Sequence, residues 1–419
     1  MKIGASLFVA FRYLLGRGRE GGRYLRGAAF GIALSLVPIV VTLVVADGMI
    51  RGITERYLEL GTGHLEVYGR GGRGEIAAEA PAIEALRGVR GAWPERQGLG
   101  ILVGMGGKSG ATVRAVAPGF LADAGTRRYL KTVDGAALLE GPNDALVGEE
   151  LARRIGARPG DTVRLMTART SPDGRTVPRV APFKVRGIVS SGYRELDALW
   201  FIVPYEAGLR VLANEASRSF LAVKIDDPYD GADAAASAVA DVVGEGYSVY
   251  TWAELQRSQY RSFESTRQLL LFIMALVVLV AAVNVASATS MLVVERRRDI
   301  AVLKGFGADR RGTTRVFVFG ALLAGTVGAA LGISAGLLIA YNINGLIAFA
   351  DAALAAFAGG ASAPKLLDPE YYLESIPVVV DWPVIAAIGA LTVALSALAA
   401  WSPARRAGKL VPHDILRKY

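Results

Sequence analysis

A predominantly apolar run of 26 residues, Leu269–Val294, ends abruptly at Glu295-Arg296-Arg297-Arg298-Asp299. At about 1.5 Å per residue it is long enough to cross a ~30 Å hydrocarbon core with some tilt, so a membrane helix is expected here. The next segment, Ile300 to Arg311, is cationic and only partly apolar. Ile300 and Leu303 share a face at i, i+3, the other faces are charged, and Gly305 and Gly307 suit a helix stop. A short amphipathic cytoplasmic helix is therefore expected, before the chain re-enters the membrane at Val316. Three further apolar runs read the same way: Ala28–Ala46, bent at Pro38; about Val316–Ala340; and Pro383–Trp401, with Trp382 and Trp401 at its interfaces. The run Val316–Ala340 contains Gly328, Gly332 and Gly336 at four-residue spacing, a pattern that lets helices approach closely, either in a dimer or against another span of the same chain.

No run from Arg51 to Thr266 reaches membrane length; short β-rich segments alternate with helical ones. Strands are expected at His64–Tyr68, Leu99–Met105, Thr112–Ala117, Thr162–Met166, Phe183–Val189, Leu199–Val203, Phe220–Ile225 and Tyr247–Tyr250. Helices are expected at Ile76–Arg87, Glu149–Ile155, Tyr205–Leu212, Tyr229–Val243 and Trp252–Ser265, the last running without Pro or Gly into the second span. The fold class is thus an α+β membrane protein: four transmembrane helices with a large α+β extracytoplasmic domain, of one or two subdomains, between helices 1 and 2. Ile3–Leu15 places Leu7, Phe8, Phe11, Leu14 and Leu15 on one face, and reads either as an interfacial helix or as an extension of the first span.

Composition agrees: 52% hydrophobic and 20% charged residues, with a mean hydropathy of +0.36, are too apolar for an ordinary soluble domain of 419 residues. The net charge of +9 would suggest nucleic acid if it were spread out, but it is localised. Residues 1–27 carry six bases and one acid, 295–315 seven and three, and 405–419 five and one, whereas 51–266 balances 27 of each sign. Bases flanking these ends put both termini and the 295–315 loop inside. The expected order is an N-terminal segment 1–27, a span within 28–50, the outer domain 51–266, a span 267–294 and the coupling loop 295–315. A span within 316–349, an acidic outer loop 350–382, a span within 383–402 and a cytoplasmic tail 403–419 follow. A cleaved signal peptide is disfavoured by the long basic lead and by Asp47-Gly48-Met49 after the first run. The chain has no cysteine, which removes disulfides and thiolate metal sites.

Signals for chemistry are sparse. Gly107-Lys108-Ser109 is Walker-like, but Leu102 stands where that motif needs Gly, so it reads as a turn. His64 and His413 fall on opposite sides of the membrane, and no Gly-x-Ser-x-Gly elbow occurs. No enzyme is indicated, and no catalytic, cofactor or metal site is expected. Asn284, in mid-span with Ser287, Thr289 and Ser290 nearby, suits either an interhelical hydrogen bond or a substrate contact.

Gly31-Ile32-Ala33-Leu34 through Asp47-Gly48-Met49, Asn284 to Gly307 with its Asp299–Lys304 core, Tyr371-Tyr372-Leu373 with Pro377, and Trp401-Ser402-Pro403-Ala404-Arg405-Arg406-Ala407 together resemble the lipoprotein-releasing permeases LolC/LolE, within the wider FtsX/MacB-type ABC permease superfamily. The likeness runs nearly end to end. It implies a permease in the inner membrane that extracts lipoproteins and passes them to a periplasmic carrier, by mechanotransmission from a separate ATPase that itself binds ATP and Mg. The implied partners are a LolD-like ATPase dimer, a second permease copy, a LolA-like carrier and the lipoprotein. Glu295, Arg298, Asp299, Ile300, Leu303, Lys304, Phe306 and Gly307 would couple to the ATPase.

Thr167–Pro182, turn-rich and basic, is similar to the hook by which LolC-type subunits recruit the carrier, and is otherwise an ordinary long hairpin loop. Its hook residues would be Arg169, Pro172, Asp173, Gly174, Arg175, Pro178 and Arg179. Cargo acyl chains are expected against Val45, Met49, Ile50, Phe263, Leu269, Leu270 and Phe272, flexible apolar residues at the outer boundary that could equally face bulk lipid. An exporter of the MacB kind and a non-transporting FtsX-like transmitter to a cell-wall hydrolase stay open as alternatives.

Overall fold

The computed structural model describes residue 4 and residues 8–11, 21–69, 76–170, 176–212, 216–357 and 375–410. Most of the expected N-terminal helix, the Tyr371-Tyr372-Leu373 stretch and the tail beyond residue 410, with His413, lie outside the described residues.

The first helix, α1 (Gly21–Arg56), runs through Pro38 and passes directly into a π-helical turn, Tyr57–Thr62. Gly63 follows at φ 74°, a left-handed conformation only glycine adopts cheaply, and the chain turns into β1 (Leu65–Gly69). Then come α2 (Ala80–Glu84), β2 (Val89–Val103), β3 (Lys108–Val116), α3 (Pro118–Ala122), α4 (Ala124–Tyr129), β4 (Lys131–Gly135), β5 (Asp144–Gly148) and α5 (Glu149–Ile155). The domain continues with β6 (Thr162–Thr170), β7 (Thr176–Ser190), α6 (Arg194–Asp197), β8 (Trp200–Pro204), α7 (Tyr205–Val211), β9 (Arg218–Ile225), α8 (Ala232–Val243) and β10 (Tyr247–Thr251). Six helices follow among the described residues: α9 (Trp252–Leu255), α10 (Arg257–Glu295), α11 (Arg297–Gly305), α12 (Arg310–Tyr341), α13 (Ile343–Phe357) and, after the last gap in description, α14 (Trp382–Lys409).

The ten described strands form one sheet, ordered β10-β1-β9-β2-β3-β8-β5-β7-β4, with β6 paired to both β2 and β7. Pairing is antiparallel except at β3–β8 and β5–β7, as expected of an α+β domain. One sheet carries two separate cores. Phe183, Phe201, Val147 and Leu165 pack with α5 and α7, while Leu65, Val67, Leu221 and Val223 pack with α8 and Trp252. The two subdomains left open by the sequence are thus two cores on a shared sheet. β4 and β5 escaped the sequence reading. β4 is exposed along its whole length and shows no inside–outside alternation, and β5 is a five-residue strand buried on both faces.

Buried charge fastens the turn where α1 enters this domain. Arg114, fully buried, makes a two-pronged pair with Glu95 (2.7 and 2.9 Å) and donates to the carbonyl of Leu60 in the π-helical turn. Lys224, also buried, lies 2.9 Å from Glu59 and contacts Asp123, while Arg90 donates to Glu59 at 2.8 Å. Burial alone would raise the Glu59 carboxyl. Its His64, Arg90 and Lys224 partners outweigh that and hold it well below the ordinary carboxylate range.

Among the membrane helices, Gly328, Gly332 and Gly336 face α1. A Cβ on Gly332 would stand 2.8 Å from the Leu36 Cβ, and one on Gly336 2.7 Å from the Val40 Cβ. The four-residue glycine stripe is therefore consumed by packing within the chain. Asp47 and Gly48 at the far end of α1 have distinct roles: Asp47 pairs with Arg267, and Gly48 admits the Pro377 carbonyl, which a Cβ would overlap at 1.9 Å.

Three boundaries differ from expectation. The helix beginning at Trp252 breaks at Gln256. A Thr251–Glu254 capping box and the Trp252 indole, donating to Pro228 O at 2.7 Å, fix the first turn to the sheet domain, and α10 starts afresh. The third span stops at Tyr341, because Asn342 turns its amide back onto Leu338 O at 2.8 Å, and the expected outer loop opens with α13 instead. The fourth long helix, N-capped by Asp381, runs on past Trp401 through Pro403 to Lys409, so the start of the expected tail is helix.

Candidate functional site at the basic end of the membrane helices

Nine residues, Arg297–Gly305, form α11 between the second and third long helices, and its C-terminal end is fixed by hydrogen bonds. Gly307 takes φ 89°, its N–H donates to Lys304 O, and Ala308 N–H donates to Leu303 O at 3.0 Å, the pattern of a Schellman stop. Two residues later Asp309 caps α12 by accepting from Gly312 N–H at 3.1 Å. The link between the helices is thus only four residues long, and Phe306 stands out from it, 89% exposed.

The inward face of α11 is bound to its own bundle. Ile300 is fully buried with Leu25, Leu292, Phe317 and Ala404. Lys304 Nζ donates to Gly408 O at 2.7 Å and Leu410 O at 2.6 Å, satisfying carbonyls at the end of α14 that no helical partner reaches. Burial and the Arg310 cation push the Lys304 ammonium below its ordinary range. Asp299 accepts from Arg296 at 2.9 Å; Glu295 and Leu303 are half-buried, and Arg298 is exposed.

The expected coupling residues thus divide between two faces. Ile300 and Lys304 are committed inside the chain, and the exposed apolar edge of the segment is Val302 with Phe306, four residues apart. Amphipathicity alone marked Ile300 and Leu303 but could not say whether the apolar face met another molecule or the parent bundle. The i, i+4 spacing of Val302 and Phe306 was the signal available for the other face.

At the opposite end of the same helices Arg267 bridges two carboxylates, with Nε 3.1 Å from Asp47 and Nη2 donating to Asp381 at 2.8 Å. One guanidinium thereby ties α1, α10 and the cap of α14. Of the expected acyl-chain residues, Leu269 and Phe272 are exposed and Leu270 packs against the helix core. Val45, Met49 and Ile50 are half-buried, and the Phe263 side chain lies outside the description. Asn284 is exposed along α10, as are Leu276, Leu279, Val280 and Val283.

The expected long loop 167–182 is mostly strand. β6 and β7 pair without interruption from Thr162↔Lys184 to Thr170↔Thr176. β2 reaches β6 only up to Met166, so the hairpin arms beyond it are paired only with each other. The exposed Pro178 sits there, where a missing N–H deprives no third strand. Arg179 donates to Arg210 O at 2.6 Å, whereas Pro172, Asp173, Gly174, Arg175 and the Arg169 side chain lie outside the described residues.

Residues 27–241 match the family model for the MacB-like periplasmic core domain, and residues 271–412 match that for the FtsX-like permease C-terminal. The chain is 26% identical to the lipoprotein-releasing system transmembrane protein LolC of Xylella fastidiosa (strain Temecula1) and 25% identical to that of Neisseria meningitidis serogroup B, in each case over 98% of both chains. It is 24% identical to the corresponding LolE protein of Haemophilus influenzae over 65% of this chain and 64% of that one. With one model covering just over half its length and a second covering most of the remaining membrane helices, the chain belongs to the MacB-like periplasmic core domain family, as an ABC transporter permease with four apolar helices and a periplasmic-type α+β domain.

Proposed function

We propose that this permease extracts lipoproteins from the inner membrane and hands them to a soluble periplasmic carrier, driven by a separate cytoplasmic ATPase. The observation that carries this reading is the likeness to LolC proteins over 98% of both chains, which extends through the membrane helices and the outer domain alike.

The geometry supports it in two ways. Val302 projects from α11 and Phe306 from the link that follows it, which is held at both ends, so a push there moves α10 and α12 together instead of bending a loop. The exposed apolar face of α10 gives an acyl chain or a second permease copy an apolar surface to pack against. On this reading ATP-driven closure of the ATPase is transmitted through α11 to the helices, and the segment Thr167–Pro182 recruits the carrier.

The test is reconstitution of the permease with a candidate cytoplasmic ABC ATPase in proteoliposomes holding a triacylated lipoprotein. ATP-dependent appearance of that lipoprotein on a soluble acceptor is expected. ATP-dependent efflux of drugs or peptides without lipoprotein release would replace the reading with an exporter, and nucleotide-driven activation of a cell-wall hydrolase without any transport would replace it with a transmitter.

A further inference from the structure

Between the first turns of α12 and the last turns of α14 lies a groove of about 770 Å³, within the roughly 300–1,000 Å³ typical of sites that hold small molecules. Arg310, Arg311 and Arg315 line one wall, and Arg405, Arg406 and Lys409 the other. All six are exposed, and among the described residues none is ion-paired to a carboxylate and no Asp or Glu lines the groove. Six like charges lining one groove raise a positive potential that attracts an anion.

The remaining lining identifies the anion. Val318, Phe319 and Trp401 continue the groove toward the apolar stretches of the same two helices, and the Arg405 guanidinium lies 4.8 Å from the Trp401 ring centroid. An exposed tryptophan beside arginines at the end of a membrane span marks the level of lipid headgroups. Cationic above and apolar below, the groove matches a molecule with a phosphate at one end and acyl chains at the other. The backbones beside it are locked: a Cβ on Gly408 would stand 2.8 Å from Arg310 O, so the two walls hold their spacing.

We propose that this groove is a binding site for an anionic glycerophospholipid, whose phosphate is held by Arg315, Arg405 and Arg406 while its acyl chains run along Phe319 and Trp401. A lipid seated there bridges α12 and α14 beside the Lys304–Gly408 contact, and makes the basic end of the bundle dependent on membrane composition.

The experiment titrates the full-length chain, purified in a neutral detergent, with phosphatidylglycerol, cardiolipin, phosphatidylcholine and water-soluble glycerol 3-phosphate, and reads occupancy by native mass spectrometry. A preference of at least about tenfold for the two anionic lipids over phosphatidylcholine is expected. Each base near an anionic headgroup contributes roughly fivefold in affinity, so Arg315→Gln/Arg405→Gln/Arg406→Gln is expected to lose on the order of a hundredfold. If the triple variant fails to fold, Arg315→Gln alone is expected to lose roughly fivefold, with Arg315→Lys retaining most of the preference. Equal binding of glycerol 3-phosphate would overturn the lipid assignment in favour of a small anion. A preference unchanged in the variants would overturn the site, and unchanged lipid binding with loss of ATPase co-purification would make the groove a protein dock.

Discussion

Lys304 Nζ donates to the carbonyl oxygen of Gly408 at 2.7 Å, joining the helix between the second and third long helices to the last turn of the fourth. A charged donor on a helix C-terminus satisfies orphan carbonyls and also complements the dipole there. Lys304→Met is expected to cost ~1–2 kcal/mol, the discounted worth of a half-buried charged hydrogen bond. In a thermal unfolding assay in detergent Lys304→Arg, which keeps the charge, is expected to lose less. Equal losses for both variants would show that side-chain shape matters and not the donated proton.

Phe306 is 89% exposed and Val302 52% exposed, so Val302→Asp/Phe306→Asp is expected to lower the unfolding midpoint only slightly. Its effect is expected at the partner. Losing apolar anchors from an interface typically costs ~2 kcal/mol or more, about thirtyfold in affinity, so the ATPase should no longer co-purify. Retention of a stoichiometric ATPase by this variant would move the coupling contact elsewhere.

Gly332 holds α12 against α1 at a distance that excludes a side chain. Gly332→Leu would drive that side chain into Leu36 and the Ala33 carbonyl, with an overpacking cost of ~3 kcal/mol or more because two helix backbones must separate. The expected readout is loss of monodisperse, folded protein in size-exclusion chromatography. A folded protein that has merely lost an oligomer would instead assign the glycine stripe to a contact between copies.

Glu66 supplies a pH dependence in the outer domain. Burial raises its carboxyl, the hydroxyl of Tyr68 donating to it opposes that, and the neighbouring Glu95 adds to the rise, leaving it at about 7 against an ordinary 4.5. A carboxyl raised in the folded state binds its proton more tightly there than in the unfolded chain. Its contribution is therefore present below pH 4.5 and is lost as pH rises through about 7, up to ~3 kcal/mol. The full-length protein is expected to resist unfolding better at pH 5.5 than at pH 8, and Glu66→Gln to flatten that difference. An unchanged slope in the variant would assign the pH dependence to other groups.

Sequence alone located the four long apolar helices, the mixed domain between the first two and a short amphipathic helix after the second span, expected from Ile300 toward Arg311 and found at Arg297–Gly305, because each rests on a periodicity or a run length that water and hydrocarbon impose locally. Charge counts near the helix ends gave an orientation for the same reason. β4, exposed on every residue, left no such trace, and neither did the break at Gln256, which depends on what holds Trp252.

Which side of an amphipathic or small-residue face meets which neighbour was settled only in three dimensions. Ile300 and Phe306 are both apolar and six residues apart, yet one is sealed in the bundle and the other stands in the open. Gly328, Gly332 and Gly336 could have served two copies of the chain until the close fit of Leu36 and Val40 showed them spent on one. Six cations far apart in sequence became a groove only when α12 and α14 lay side by side. A hydrophobic pattern fixes that a surface must be covered; the identity of the cover depends on distances between segments remote along the chain, which are properties of the packed structure and not of any window of sequence.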